Sequence, residues 1–317
     1  MRTRRTIALA SLVAFATQVA FALLMLRLFT PQEVGEFSVI SQIAFFWMTL
    51  ALAQSQLGLL ANQHLPAPVA AQEAWRASVM RGVGLLPVAA LAVWFSQLAL
   101  WPALLWALLL AVCQMGWMLA QSLTLRASSA GHQAAVRVLP PVTAATAALT
   151  ASLLGASLGW TGPILVGSAL LGYAVGAAWL VPALRVQAMP APTPAESLPP
   201  SDFQQPRQAD QRSGTLRMAH TLVDALLATA IIVVWRRFYG AEETGWMSAL
   251  LRVLGFVPAV VHMAWAQVAL AQGEPKDARH ATWASPWRLG LGAFACVIGL
   301  GVACALALSQ GWLDARW

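Results

Sequence analysis

The sequence has little charge for its length. Only 10% of its 317 residues are Asp, Glu, Lys or Arg, whereas 59% are apolar. Soluble domains carry about 25% charged residues, so this composition excludes an ordinary soluble fold. Several uninterrupted apolar runs approach or exceed the roughly 20 residues that span a bilayer as a helix. We therefore expect an all-α, multi-span transmembrane helical bundle.

Lysine is almost absent as well. Lys276 is the only lysine among 19 basic residues, and the 12 acidic residues leave a net charge of +7. In a membrane protein an excess of Arg first indicates orientation, because cytoplasmic segments collect positive charge. With the N-terminus inside, 14 of the 19 basic residues fall in cytoplasmic segments. We expect a multi-pass protein of the bacterial inner membrane with a cytoplasmic N-terminus, and no nucleic-acid partner.

Few residues offer catalytic or metal chemistry. The three cysteines, Cys113, Cys296 and Cys304, sit in apolar runs without metal-ligand spacing, which favours a packing role. Residues 155–159 match the G-x-S-x-G pattern of hydrolases, but that pattern needs a strand-to-helix turn and here it ends an apolar helix. The sequence contains neither a G-x-x-x-x-G-K-[ST] loop nor an H-E-x-x-H motif. We expect no enzyme activity, no cofactor and no metal.

The sequence does contain a long internal repeat. Residues 27–57 and 237–267 align without a gap at an offset of 210 positions, and a second block of matches follows at an offset of 208. In both copies an apolar run ends in an Arg, followed by a short acidic turn, a Gly and another apolar run. The repeat is too long for a solenoid unit. It indicates two parallel repeats, which is one way to build a transporter.

The apolar runs predict about nine membrane spans in two unequal lobes. Residues 1–186 form a first lobe of six spans, residues 187–215 a Pro-rich cytoplasmic linker, and residues 216–317 a partial second lobe of three spans. The predicted spans are 7–29, 37–60, 82–100, 101–125, 138–160, 163–184, 216–235, 246–271 and 289–309. The first run has 23 residues, too long for the hydrophobic core of about 7–15 residues in a signal peptide, so we expect it to be retained.

The second repeat is predicted to be incomplete. At the observed offset, position 317 corresponds to about position 107 of the first copy, so counterparts of spans four to six are missing. Three explanations stay open. The protein is naturally short, the reading frame is incomplete, or a second chain supplies the missing spans as a partner.

The repeat carries a family resemblance. Residues 26–37 (LRLFTPQEVGEF) resemble the first loop of lipid-linked oligosaccharide flippases, the polysaccharide exporters of the multidrug/oligosaccharidyl-lipid/polysaccharide superfamily. Residues 237–246 (RFYGAEETGW) resemble that family's loop between spans seven and eight, and residues 251–254 followed by Pro258 resemble its eighth span. The resemblance implies two lobes around a central cavity that alternate between inside-open and outside-open states. It also implies a cargo of undecaprenyl-diphosphate-linked sugar, moved to the periplasmic leaflet.

Arginines in or beside the spans are the candidate substrate-binding residues, because a planar guanidinium binds phosphate oxygens through two hydrogen bonds. Arg252 lies six residues inside span eight, ~9 Å from its outer end. Its repeat mate is the polar Gln42. Snorkelling to the outer headgroups is the alternative role. Arg27 and Arg237 end spans one and seven, where anchoring at the interface is the alternative to a role in an outer gate.

Asp224, His220 and His262 are the candidate ion-coupling residues. His220 and Asp224 lie one turn apart on span seven, and His262 lies at a similar depth on the neighbouring span eight. A carboxylate–imidazole pair at that depth could take up and release protons. A hydrogen-bonded clasp between the helices is the alternative.

Other polar side chains inside the predicted spans are glutamines. They are Gln18, Gln54, Gln56 and Gln114. Hydrogen bonding between helices is the default role of such residues, and contact with a sugar is the alternative. In addition, Pro258 predicts a kink in span eight close to Arg252.

These features predict an inner-membrane flippase for lipid-linked oligosaccharide in the synthesis of surface polysaccharide such as lipopolysaccharide O-antigen, with the cargo and membrane lipid as partners. A cation-coupled multidrug exporter of the same superfamily is the nearest alternative, and it would favour Asp224 over the arginines as the binding group. An alternative from another class is a non-transporting membrane scaffold in a polysaccharide-assembly complex, which the short second lobe supports.

Overall fold

The computed structural model describes residues 2–53, 55–61, 65–127, 129–158, 163–186 and 208–272, with isolated positions between 291 and 310. Regular structure in these ranges is entirely helical, which confirms the predicted all-α class. The helices are α1 (Arg2–Leu28), α2 (Pro31–Leu52), α3 (Ser55–Ala61), α4 (Ala67–Gly84), α5 (Leu86–Phe95), α6 (Leu100–Ala127), α7 (Ala130–Leu158), α8 (Ile164–Ala178), α9 (Val181–Arg185) and α10 (Gln208–Gln272). Only isolated positions of predicted span nine are described, and linker residues 187–207 lie outside the described ranges.

Four helical stretches are long and apolar enough to cross a membrane: Pro31–Leu52, Leu100–Arg126, Gly131–Gly155 and Ala219–Arg252. The pair α4 and α5, bent by 48° at Leu85, makes a fifth candidate span. Shorter apolar helices cover Ala16–Leu28 and Ile164–Ala178. The described residues therefore indicate a multi-pass membrane protein with four or five candidate spans.

Helix α2 is the central helix of the bundle. It packs against α10, α6 and α4, and most of its residues are buried. Its start is fixed by a capping box, in which the Thr30 hydroxyl accepts from the Glu33 backbone N–H while the Thr30 N–H donates to Glu33 Oε2 at 2.8 Å. Pro31 follows at the first helical position, where its missing N–H costs nothing. The acidic turn of the repeat is thus, in the first copy, the start of a helix.

The C-terminal end of α2 is bound by a charged side chain from α4. Arg81 Nη1 donates to the carbonyl oxygens of Ala51 and Leu52 at 3.0 and 2.9 Å. These are among the last four carbonyls of α2, which have no partner within the helix. Helix α4 begins at Ala67, well before the predicted start of span three at 82. The predicted start is late because polar residues interrupt the apolar pattern in this part of α4. In the structure these polar residues bind neighbouring helix ends.

Helix α10 is a hairpin of two arms that meet at Gly240. This residue has φ +87° and ψ −172°, outside the helical region. In a straight helix Ala228 and Arg252 would stand ~36 Å apart. Instead they line one cavity of about 370 Å³, so the two arms lie side by side. The arms match predicted spans seven and eight, although the first arm begins at Gln208, inside the predicted linker.

Helix α2 and the second arm of α10 approach backbone to backbone. A Cβ atom on Gly35 would stand 2.0 Å from the Ala241 carbonyl oxygen, and a Cβ on Gly245 would stand 1.9 Å from the Pro31 carbonyl oxygen. Positions 31 and 35 are related to 241 and 245 by the repeat offset of 210. The two contacts are therefore reciprocal, and both require glycine.

Candidate functional site

A cavity lies between α1, α2, α6, α7, α8 and the second arm of α10. We call it the main cavity, and its volume is about 480 Å³. Its wall combines aromatic rings with amide, hydroxyl and guanidinium groups. It is lined by Gln18, Phe21, Ala22, Phe37, Ser41, Gln42, Phe45, Gln114, Trp117, Pro140, Pro141, Ala144, Ala169, Gly172, Tyr173, Arg252 and Gly255. No acidic side chain is among these described lining residues.

A smaller cavity of about 370 Å³ lies between α2 and the two arms of α10. We call it the hydroxyl cavity, since three serines contribute to its wall. It is lined by Ser38, Ser41, Gln42, Ala228, Ile231, Ile232, Ser248, Leu251 and Arg252. Ser41, Gln42 and Arg252 belong to both cavities, so the two spaces share a polar wall.

Arg252 brings a positive charge to that shared wall. Its Nη2 atom lies 3.4 Å from Ser38 Oγ, its Nη1 atom lies 3.5 Å from Met25 Sδ, and its Cζ atom is 5.0 Å from the Phe37 ring centroid. A hydroxyl, a thioether and a ring face are neutral partners, and the cation–π contact contributes only about 0.5–2 kcal/mol. Within the described residues Arg252 forms no ion pair. Among the described residues, its charge therefore meets only neutral groups.

Two buried polar atoms beside this charge have no hydrogen-bond partner in the described part of the chain. They are Gln114 Oε1 in the main cavity and Ser248 Oγ in the hydroxyl cavity, on residues that are 6% and 3% exposed. Buried polar groups nearly always have a partner, from protein or water. Because both residues line a cavity, each atom is a candidate to bond with a molecule in that cavity.

Trp117 and Tyr173 form an aromatic corner of the main cavity. Their ring centroids are 5.4 Å apart with an interplanar angle of 40°. The Trp117 indole is held by a hydrogen bond from its Nε1 to the Val136 carbonyl at 2.8 Å. Gly176 leaves room for it, because a Cβ there would stand 2.4 Å from the indole ring. The sequence Gly172-Tyr173-Ala174-Val175-Gly176 thus packs small residues where α8 meets the tryptophan.

Of the predicted substrate-binding arginines, the structure places Arg252 in the cavity wall and the other two elsewhere. Arg27 is exposed in the last turn of α1. Arg237 is also exposed, with its Cζ atom 5.7 Å from the Phe95 ring centroid. The neighbouring Arg236, which the sequence did not single out, lies 3.9 Å from Glu36 of α2.

The predicted ion-coupling residues are not assembled into a site in the described part of the chain. Asp224 and His220 are both exposed on the first arm of α10, line neither cavity and form no described bond with each other. The side chain of His262 lies outside the described residues. Polar contacts between this arm and α2 are made instead by Thr229 Oγ1, which lies 3.4 Å from Gln42 Nε2, and by the Arg236–Glu36 ion pair.

Of the four glutamines predicted to lie inside spans, two line the main cavity. Gln18 and Gln114 line the main cavity, Gln56 lies on α3, and Gln54 is outside the described residues. The serines and the aromatic corner were missed. The sequence held a usable signal for the serines, because Ser38 and Ser248 are 210 positions apart, as are Gln42 and Arg252, and all four line the hydroxyl cavity.

The site does not provide a metal centre within the residues described, where no cluster of three His, Cys, Asp or Glu side chains occurs. No protein-family model, no curated protein and no solved structure matches the chain. The functional interpretation therefore depends on the residues that line the two cavities.

Proposed function

We propose that this protein is a flippase of the bacterial inner membrane that moves undecaprenyl-diphosphate-linked oligosaccharide to the periplasmic leaflet by alternating access. In this proposal Arg252 binds the diphosphate. The observation that carries it is the position of Arg252, a cation in the wall of a 480 Å³ cavity that has no ion-pair partner among the described residues.

The energetics of a buried cation support an anionic ligand. An ionised side chain within a bilayer is costly unless it is paired or hydrated. Arg252 meets neutral groups on both sides, so an entering diphosphate would supply the missing charge and accept bidentate hydrogen bonds. Ser38 and Ser248 line the hydroxyl cavity, where their hydroxyl groups would donate hydrogen bonds to further phosphate oxygens.

The size of the two cavities fits the head group rather than the whole lipid. Sites of roughly 300–1,000 Å³ hold molecules of drug size. Both cavities fall within that range, at about 480 and 370 Å³. The polyprenyl chain of the cargo would stay in the bilayer. Only the diphosphate and adjoining sugar need a polar path.

The proposal includes two parallel repeats and about nine spans. Reciprocal glycine contacts between α2 and α10, at positions related by the offset of 210, favour the repeat. So does the position of Gln42 and Arg252, which are related by the same offset and both line the hydroxyl cavity. The proposed cavities would then lie at the junction of the two repeats, where movement of one against the other opens one end.

A drug exporter that uses Asp224 to bind cations receives less support. Cationic drugs need an acidic group in the cavity wall, and the described lining residues of the main cavity include an arginine and no acid. Asp224 is exposed and lines neither cavity.

The test of the proposal is the substitution Arg252→Ala. Hydrogen bonds to charged groups contribute about 1.5–3 kcal/mol, so we expect transport of the lipid-linked cargo to fall roughly 10- to 100-fold. The assay follows surface polysaccharide in cells that depend on this protein, together with its amount in the membrane fraction. Arg252→Lys keeps the charge but loses the planar fork, so its activity should be intermediate.

The matched control is Arg76→Ala, since Arg76 is exposed on α4 and lines neither cavity. It should leave polysaccharide unchanged. Normal polysaccharide in Arg252→Ala, with normal protein level, would reject the flippase and favour the membrane scaffold. A change in dye efflux with unchanged polysaccharide would favour the drug exporter.

A further inference from the structure

We infer that the corner of the main cavity formed by Gln114, Trp117 and Tyr173 is a carbohydrate subsite, which binds the sugar unit next to the diphosphate. This inference rests on the proposed function, since it assigns the sugar end of the same cargo. It makes the protein selective for sugar-bearing lipid over the bare polyprenyl diphosphate.

The first argument is the carbonyl oxygen of the Gln114 side chain. This Oε1 atom is buried on a residue that lines the cavity, and it has no hydrogen-bond partner in the described part of the chain. A buried acceptor without a partner is unfavourable, whereas a ligand hydroxyl placed there would donate to it. Sugars carry several hydroxyl groups at neighbouring carbons, each able to donate and accept.

The second argument is the aromatic pair beside that amide. Trp117 and Tyr173 present rings 5.4 Å apart and tilted by 40°, which form a concave apolar corner. A pyranose ring has an apolar face of C–H groups that fits such a surface, while its hydroxyl edge needs polar groups. Tyrosine and tryptophan suit this combination, because each joins a large apolar ring to one polar atom.

The third argument is that the corner is held rigid. The indole Nε1 of Trp117 is bound to the Val136 carbonyl at 2.8 Å, and the ring packs against Gly176. Gly172 is equally restricted, since a Cβ there would stand 2.6 Å from the Pro140 carbonyl oxygen. Binding would therefore not have to pay the entropy of ordering these groups.

The fourth argument is the position of the corner relative to the charge. Arg252 and Tyr173 line the same cavity. A diphosphate at the guanidinium would place the sugar attached to it toward the aromatic corner. Gln18 of α1 lines the same cavity and offers a second amide.

The test measures binding of two probes to the full chain in lipid nanodiscs. The probes are farnesyl diphosphate and farnesyl diphosphate that carries one N-acetylglucosamine. One or two hydrogen bonds plus ring contact should make the sugar-bearing probe bind roughly five- to tenfold more tightly. Gln114→Leu, which keeps the size of the side chain, should bring the two dissociation constants together without weakening the bare probe.

Two further variants make the result specific. Tyr173→Phe removes only a hydroxyl and should reduce the preference for the sugar-bearing probe in part. Gln121→Leu is the matched control, because Gln121 lies on the same helix α6 but outside the cavity wall, and it should keep the full preference.

The outcomes separate the subsite from the proposed function. Equal binding of both probes to the unaltered protein would overturn the carbohydrate subsite and leave the diphosphate site standing. A loss of affinity for both probes in Gln114→Leu would mean that Gln114 supports the fold or a bridging water, and would also overturn the subsite. Failure of the unaltered protein to bind either probe would overturn the proposed function and the subsite together.

Discussion

Arg81 and Arg126 show what the basic residues near span ends do in this protein. Arg81 binds the last carbonyls of α2, and Arg126 donates to the Leu59 carbonyl of α3 at 3.1 Å and to the Leu65 carbonyl. From the sequence these arginines indicate orientation. In the structure they also bind carbonyls near the ends of α2 and α3 that have no partner within the helix, and Arg126 binds one carbonyl in the loop before α4.

At this scale we predict that Arg81→Met destabilises the protein by about 1–3 kcal/mol, because two carbonyls of α2 and the Ser55 hydroxyl lose a charged donor. Methionine keeps most of the aliphatic volume. The measurement is the midpoint of thermal unfolding in detergent, compared with Arg76→Met, an exposed arginine on the same helix. A midpoint no lower than that of Arg76→Met would contradict the capping role.

Single residues also mark the limit of what the sequence predicts. Depth along a span follows from counting residues, so the sequence indicates Arg252 as a cation within a predicted span. The face on which a side chain lies does not follow, because spans that are apolar all round have no polar side to compare. Arg252 lies within an apolar run, whereas Arg27 and Arg237 lie beside one. The sequence does not reveal that Arg27 and Arg237 are exposed rather than in a cavity wall.

At the scale of elements, the hairpin of α10 depends on the backbone of Gly240. Its φ of +87° with ψ of −172° is a conformation that residues with a Cβ rarely adopt, at a cost of order 1–3 kcal/mol. A Cβ there would meet nothing within 4 Å, so crowding plays no part. Strain alone should decide the effect of a substitution.

We therefore predict that Gly240→Ala lowers stability by about 1–3 kcal/mol, whereas Gly84→Ala has no effect or stabilises. An added methyl group at Gly84 would also meet open space, but Gly84 lies in the helix α4, where alanine is preferred. Thermal midpoints of the two variants in the same detergent provide the comparison. Equal midpoints would mean that the turn between the two arms can form without a glycine.

The sequence predicts the elements unevenly for a physical reason. The arms of α10 and helices α6 and α7 follow from long apolar runs, and the repeat indicates the turn between the arms. The predicted start of helix α4 is too late, since its Gln72, Glu73 and Arg76 look like a loop in a membrane protein. Gln72 binds the carbonyls of Ala183 and Val186 instead, a long-range contact that no local pattern reveals.

At the scale of the whole molecule, α2 and α10 form the junction on which the proposed mechanism depends. Gly35 and Gly245 let the two backbones touch at the end of the bundle that holds the Arg236–Glu36 ion pair. The main cavity lies deeper, because Gln42 and Arg252 follow these glycines by about two helical turns, or ~10 Å. Alternating access would require this end to separate when the cavity opens toward it.

We predict that joining this end covalently stops transport but not binding. Cysteines at positions 36 and 236, in a chain whose three native cysteines are replaced, can be linked by a short bis-methanethiosulfonate reagent, because the two native side chains lie 3.9 Å apart at their tips. The reagent forms one reducible disulfide with each cysteine and releases a sulfinate each time. Transport of lipid-linked cargo in proteoliposomes should fall to background and recover on reduction, while the single-cysteine variants treated in the same way stay active. Binding of the farnesyl diphosphate probe should persist, since Arg252 and the cavity wall are unchanged. Full transport by a completely linked protein would mean that α2 and α10 stay together throughout the cycle, and the path of the cargo would then have to open between other helices.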